Sequence, residues 1–132
     1  MSQLKIKIQL ANDTACYAPG EAVSGRVDWS GLDQETESLE IRLIWFTRGK
    51  GTRDFEVVEA NTIESPPLDG ETMFQFVAPG YPNSISGKLI SVVWAVEVIV
   101  FPDHEAEHHE VIISPARREL PIPLGQSTED KK

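Results

Sequence analysis

Cysteine is almost missing: Cys16 stands alone in 132 residues. An intrachain disulfide and a cysteine-based zinc site are therefore excluded, and a reducing compartment, the cytoplasm, is the expectation. Basic residues are also scarce, 12 Lys and Arg against 21 Asp and Glu, for a net charge of −9 and a pI ≈ 4.7. Without a basic footprint, neither nucleic acid nor an anionic membrane surface is an expected partner. The apolar runs are too short or too interrupted to span a bilayer. The first ten residues alternate polar and apolar and so do not form the apolar centre of a secretion signal. No Gly-x-Ser-x-Gly, phosphate-binding loop or dinucleotide fingerprint is found, so the sequence indicates neither an enzyme nor a cofactor.

What is present is β patterning. Residues 89–101 read Leu-Ile-Ser-Val-Val-Trp-Ala-Val-Glu-Val-Ile-Val-Phe. One parity (Ile90, Val92, Trp94, Val96, Val98, Val100) is wholly apolar and the other is mixed, as expected of a central strand with one core face. Length alone would allow a helix. The β-branched residues decide for a strand, because they lose rotamer freedom in helices and pack well on pleated surfaces. At about 3.3 Å per residue the run is unusually long, so a bulge or strong twist is expected partway.

Other strands follow from alternation. Leu4, Ile6, Ile8 and Leu10 alternate with Lys5, Lys7 and Gln9. Val23, Val27 and Trp29 share a face, with Gly25 between them. Leu39, Ile41, Leu43 and Trp45 form the next core face, followed by a glycine- and cation-rich hairpin tip at residues 48–53 and a return strand at 54–60. Phe74 and Phe76 mark another strand, ending at Ala78-Pro-Gly80. Residues 103–110 read as an exposed acidic, histidine-rich turn, and 111–114 as a short strand. About seven or eight strands with turn signals between them, and no convincing amphipathic helix, predict an all-β, antiparallel, immunoglobulin-like sandwich over residues 1–120. Residues 121–132 read as a flexible tail.

Several stretches resemble one family. Tyr17-Ala-Pro-Gly-Glu-Ala-Val-Ser-Gly25 is similar to the Tyr-x-Pro-Gly-Glu-x-Val-x-Gly element of arrestin-like domains. Residues 38–45 are similar to the strand that follows it there. Phe74-Gln-Phe-Val-Ala-Pro79 with Pro82-Asn-Ser84 resembles that family's Phe-x-Phe-x-x-Pro and Pro-x-Ser segment, and the long apolar strand comes next, in the family's order. Relatives include eukaryotic arrestins, the retromer cargo subunit and bacterial sporulation-control proteins. The resemblance implies one arrestin-type sandwich acting as a non-catalytic protein-binding or scaffold module. Receptor-binding arrestins sense phosphate with an N-terminal lysine pair; here Lys5 and Lys7 fall on the polar face of the first strand, as in any solvated strand.

Two candidate sites emerge. Ile44 and Phe46 lie opposite the core set of their strand, and Val93 and Ala95 lie on the mixed face of the central one. If those strands are neighbours, an apolar strip lies outside the sheet and marks a protein-binding patch, for a second copy of the chain or another protein. Unpaired sheet edges offer a second route, by strand addition. The alternative function is a small metal- or ligand-binding sandwich using the 103–110 loop, with His104, His108 and His109 among carboxylates as metal ligands. Cys16 is distant in sequence from these histidines, so a nucleophile with its base is not indicated.

Overall fold

The structure, a computed structural model, describes residues 4–12, 14–49, 54–86, 90–115 and 120–121. Among them are ten strands and no helix: β1 Lys5–Leu10, β2 Cys16–Tyr17, β3 Ala22–Ser30, β4 Ser38–Gly49, β5 Phe55–Glu64, β6 Gly70–Val77, β7 Ile85–Ser86, β8 Ile90–Phe101, β9 Ala106–Ile113 and β10 Leu120–Pro121. They form two sheets. The smaller has the order β1-β3-β6. In the larger, β8 pairs β4 along its whole length, β5 flanks β4, and β9 and β7 share the other side of β8. The short β2 and β10 extend that sheet through parallel pairings with β9 and β7.

The alternation read from the sequence sets which side chains meet between the sheets. Val23, Val27, Trp29, Phe74 and Phe76 come from the small sheet. Leu39, Ile41, Leu43, Trp94, Val96, Val98 and Val100 come from β4 and β8, with Val111 and Ile113 from β9. Each such side chain taken out of water contributes about 1.5–3 kcal/mol, so this layer dominates the fold. Trp94 is fully buried, and its indole N–H donates to the Pro82 carbonyl at 2.6 Å. The ring is thereby accommodated without an unpaired donor.

The motif residues act as clips. The backbone N–H of Gly20 donates to the Ala78 carbonyl, and that of Ala78 donates to the Glu21 carbonyl, each at 2.8 Å. The Glu21 carboxylate accepts from the Ala18 N–H at 2.7 Å. Gly20 has φ +90°, a conformation that glycine adopts without a Cβ penalty. The buried Ser84 closes a second clip: its N–H donates to the Ile113 carbonyl at 2.7 Å, and its hydroxyl accepts from the Ile113 N–H at 2.9 Å.

Three sequence expectations change. The long strand runs without a register break against β4; the irregularity falls on its neighbour's other side, between Leu43 and Ile44 in the β4–β5 pairing. The return strand is longer than residues 54–60, extending to Glu64. The histidine-rich segment is mostly strand: β9 begins at Ala106, and the turn is confined to residues 102–105. The pairing of residues 106–111 with the rigid β8 holds this polar stretch extended, although its side chains alone carry no β signal. Lys50 and Arg53 of the expected hairpin tip, and residues 122–132 of the expected tail, lie outside the described residues.

Two substitutions test the clips and the close approach of β1 to β3. A Cβ on Gly25 would lie 2.2 Å from the Gln9 carbonyl oxygen and 2.9 Å from Leu10 Cα, both backbone atoms. Gly25→Ala should therefore cost about 1–3 kcal/mol, read as a lower urea midpoint, and an unchanged midpoint would refute the close packing. Ser84→Ala leaves the Ile113 N–H without its acceptor. The expected loss is about 1–3 kcal/mol, with faster amide exchange at Ile113 than in the parent protein.

Candidate functional site

The outer face of the large sheet carries one parity of each strand. Across it, Phe55, Phe46 and Val93 form one row, and Val57, Ile44, Ala95 and Glu110 the next. Ala60, Arg42, Glu97 and His108 follow, then Thr62, Glu40, Ile99 and Ala106. The four residues of the expected patch are thus brought together: Ile44 is paired with Ala95, and Phe46 with Val93. The strip is not bare. Ile44, Val93 and Ala95 are buried, at 2%, 5% and 0% exposure, and Phe46 is half-buried.

Long polar side chains roof this strip. The Arg48 guanidinium lies 5.6 Å from the centre of the Phe46 ring and pairs with the Glu110 carboxylate. The His108 ring meets Phe46 edge-on, with centroids 6.2 Å apart. Arg42 pairs with Glu40 at 3.0 Å and Glu97 at 3.4 Å, and stands over the Phe101 ring at 5.6 Å. The alternation of sheet side chains puts these cations directly over aromatic faces, where the ring quadrupole attracts them. At one end, Thr14, Ala15, Val93, Glu110, Val111 and Ile112 line a shallow depression of about 330 Å³. At the other end the apolar surface continues onto β5, through Phe55 (57% exposed) and Val57 (37%). These two residues were missed from the sequence, although their alternation within the return strand was available as a signal.

The three histidines do not converge. His104 sits in the β8–β9 turn at φ 65°, with Nδ1 2.8 Å from the Pro102 carbonyl and its ring edge-on to Phe101. His108 and His109 are successive strand residues, so they point to opposite faces. His109 Nδ1 lies 3.0 Å from the Glu110 carbonyl, and its side chain lines a depression beside Ile8, Leu10 and Ala15. Among the described residues, no group of three or more His, Cys, Asp or Glu is placed to hold a metal ion. Cys16 is half-buried in β2, and its thiol donates to the Thr14 carbonyl at 3.2 Å.

Comparison with solved structures identifies the architecture. The crystal structure of Spo0M, a sporulation control protein from Bacillus subtilis, superposes with a TM-score of 0.58 at 20% identity over 86% of this chain. The fold is that of the arrestin-like domains. This chain spans half the length of that protein. A β-glucosidase from Listeria innocua matches 90% of this chain and 16% of its own, at 13% identity and a TM-score of 0.47. No protein-family model matches the sequence, and no curated protein does. Among the described residues, no helix is long and apolar enough to cross a membrane.

One buried group supplies a pH test of the arrestin-type N-terminal element. Tyr17 is 2% exposed, and its hydroxyl has no hydrogen-bond partner among the described residues. Burial pushes its pKa above the ordinary tyrosine value, with smaller contributions from Cys16 and Glu21. An acid whose folded pKa is raised leaves stability intact below its unfolded pKa. Stability then falls as pH climbs from about 10 towards the folded value, because the unfolded chain releases the proton first. Tyr17→Phe should shallow this alkaline loss and, by removing an unpaired buried hydroxyl, leave neutral-pH stability equal or up to about 1 kcal/mol higher. Denaturant midpoints of both proteins between pH 8 and 11 check both expectations; a destabilised variant at pH 7 would mean that the hydroxyl is satisfied.

Proposed function

We propose that this domain is a non-catalytic, regulatory protein-binding module that docks its partner on the outer face of the large sheet, around Phe46, with Ile44, Val93 and Ala95 as the floor beneath the contact. The observation that carries this reading is the unbroken apolar surface from half-buried Phe46 to exposed Phe55 and Val57. Contiguous apolar surface of this kind is a common mark of a partner site. Arg48 and Glu110 border it, as expected of a polar rim around an apolar centre. The fold likeness adds support by analogy only, since one architecture hosts many functions. A second copy of the chain is the simplest occupant, and a different protein serves equally well on chemistry.

Two variants test the face. Phe55→Glu changes an exposed ring and should leave folding intact, and Phe46→Glu strikes the centre. If a second copy docks there, light scattering after gel filtration gives a dimer for the parent protein and a monomer for both variants. If another protein does, capture from native lysate falls at least tenfold in both, with circular dichroism unchanged. A parent monomer whose captured proteins are the same with and without Phe46→Glu would overturn this reading.

A further inference from the structure

The large sheet ends in β5, which pairs with β4 and with no other described strand. Among the described residues its outward backbone N–H and C=O groups are therefore a row of unpaired donors and acceptors, the template for strand addition. Natural edges of this length are usually blunted with charged side chains (lysine above all), proline, a bulge or a cover. β5 contains neither lysine nor proline, so its glutamates and one bulge are its guard, which turns away acidic strands but not cationic ones, and all of its residues except Ile63 are exposed. Its one irregularity leaves Val58 without an opposite number, since Leu43 faces Glu59 while Ile44 faces Val57.

That extra residue sorts the strand chemically. With Val58 out of step, Glu56 and Glu59 lie on one side, opposite Trp45 and Leu43, and Phe55, Val57 and Ala60 lie on the other. Over residues 55–60 one side is therefore acidic and the other apolar. Among the described residues neither Glu56 nor Glu59 has an ion-pair partner. From Asp54 to Ser86 the sequence holds Asp54, Glu56, Glu59, Glu64, Asp69 and Glu71 and no lysine or arginine, so β5 itself and the segment after it carry only negative charge.

From these features we infer that β5 accepts an extended segment of a partner protein in which lysine or arginine alternates with apolar residues. This deepens the protein-binding reading by naming a second contact and its chemistry. The partner's backbone completes the ladder, its cations meet Glu56 and Glu59, and its apolar residues join Phe55, Val57 and Ala60. A second copy pairing β5 to β5 is disfavoured, because it would bring these acidic side chains together.

The test uses the full chain and a capped ten-residue peptide alternating lysine and valine, with binding read by fluorescence anisotropy at low salt. The alternating peptide should bind at least tenfold more tightly than a block peptide of five lysines followed by five valines, and amide shifts should centre on β5. N-methylation at every residue, which blocks both edges of the peptide, should abolish binding, since charge alone does not need the ladder. Glu56→Lys with Glu59→Lys should weaken the lysine peptide at least tenfold and create binding of a glutamate–valine peptide. Equal binding of block and alternating peptides, retention after N-methylation, or binding that appears only once residues 122–132 are removed would each overturn the inference. Phe46→Glu separates the two readings. If it abolishes partner docking while the peptide never binds, the outer face stands and the edge falls; if it spares docking while the peptide binds β5 as described, the reverse holds.

Discussion

Twelve consecutive residue pairs join β4 to β8, and the rest of the molecule is arranged by what that ladder buries on each side. Inward, Leu39, Ile41, Leu43, Trp94, Val96, Val98 and Val100 make the floor of the main core. Outward, Ile44, Val93, Ala95 and Ile99 are buried as well, yet stand apart from that core. A sandwich sheet normally leaves its outer face to water. Here the central pair has an apolar layer on both sides, and the outer one is closed by side chains of its own sheet. Arg42, Arg48 and His108 do this with their apolar stems or rings, keeping polar groups at the surface. Such a roof is held by partly exposed ion pairs that contribute about 1 kcal/mol or less each, far less than the core beneath. The roof can therefore be rearranged at small cost, while the core beneath it holds its shape.

The motifs that gave the family likeness are explained by position. The Tyr17–Gly25 element and the Phe74–Pro79 element are far apart in sequence but adjacent in the small sheet, where Val23 faces Phe76 and Gly25 faces Phe74. The Pro19–Gly20 turn and Ala78 then tie their ends. The roles seen for these residues are backbone pairing and packing. They set the spacing and closure of the sandwich, and that explains why a likeness in them indicates a fold more readily than an activity.

Much of this was legible beforehand because a two-residue period is hard to imitate. The long apolar parity of β8, the one-sided β1 and the core set of β4 follow directly from it. The neighbouring of β4 and β8, needed for the outer strip, was only a condition until the register was known. Two things were hidden. Strand β9 is made largely by its partner, since Glu107, His108, His109 and Glu110 have no intrinsic reason to be extended. The covering of Ile44 and Ala95 depends on where long side chains lie over neighbouring strands, and linear spacing carries no record of that. The histidine cluster shows the same limit from the other side: closeness in sequence became separation in space once the segment became a strand.

The paired bonds between Ser84 and Ile113 have a consequence for how the sandwich holds its seam. They join two points 29 positions apart in the chain and bracket the central strand between them. Many small extracellular sandwiches fasten such a span with sulfur. A chain with a single thiol has closed an equivalent ring with a hydroxyl and two amides. The fastening is indifferent to redox state and able to open and shut reversibly, yet it is strong only while water is kept away from it.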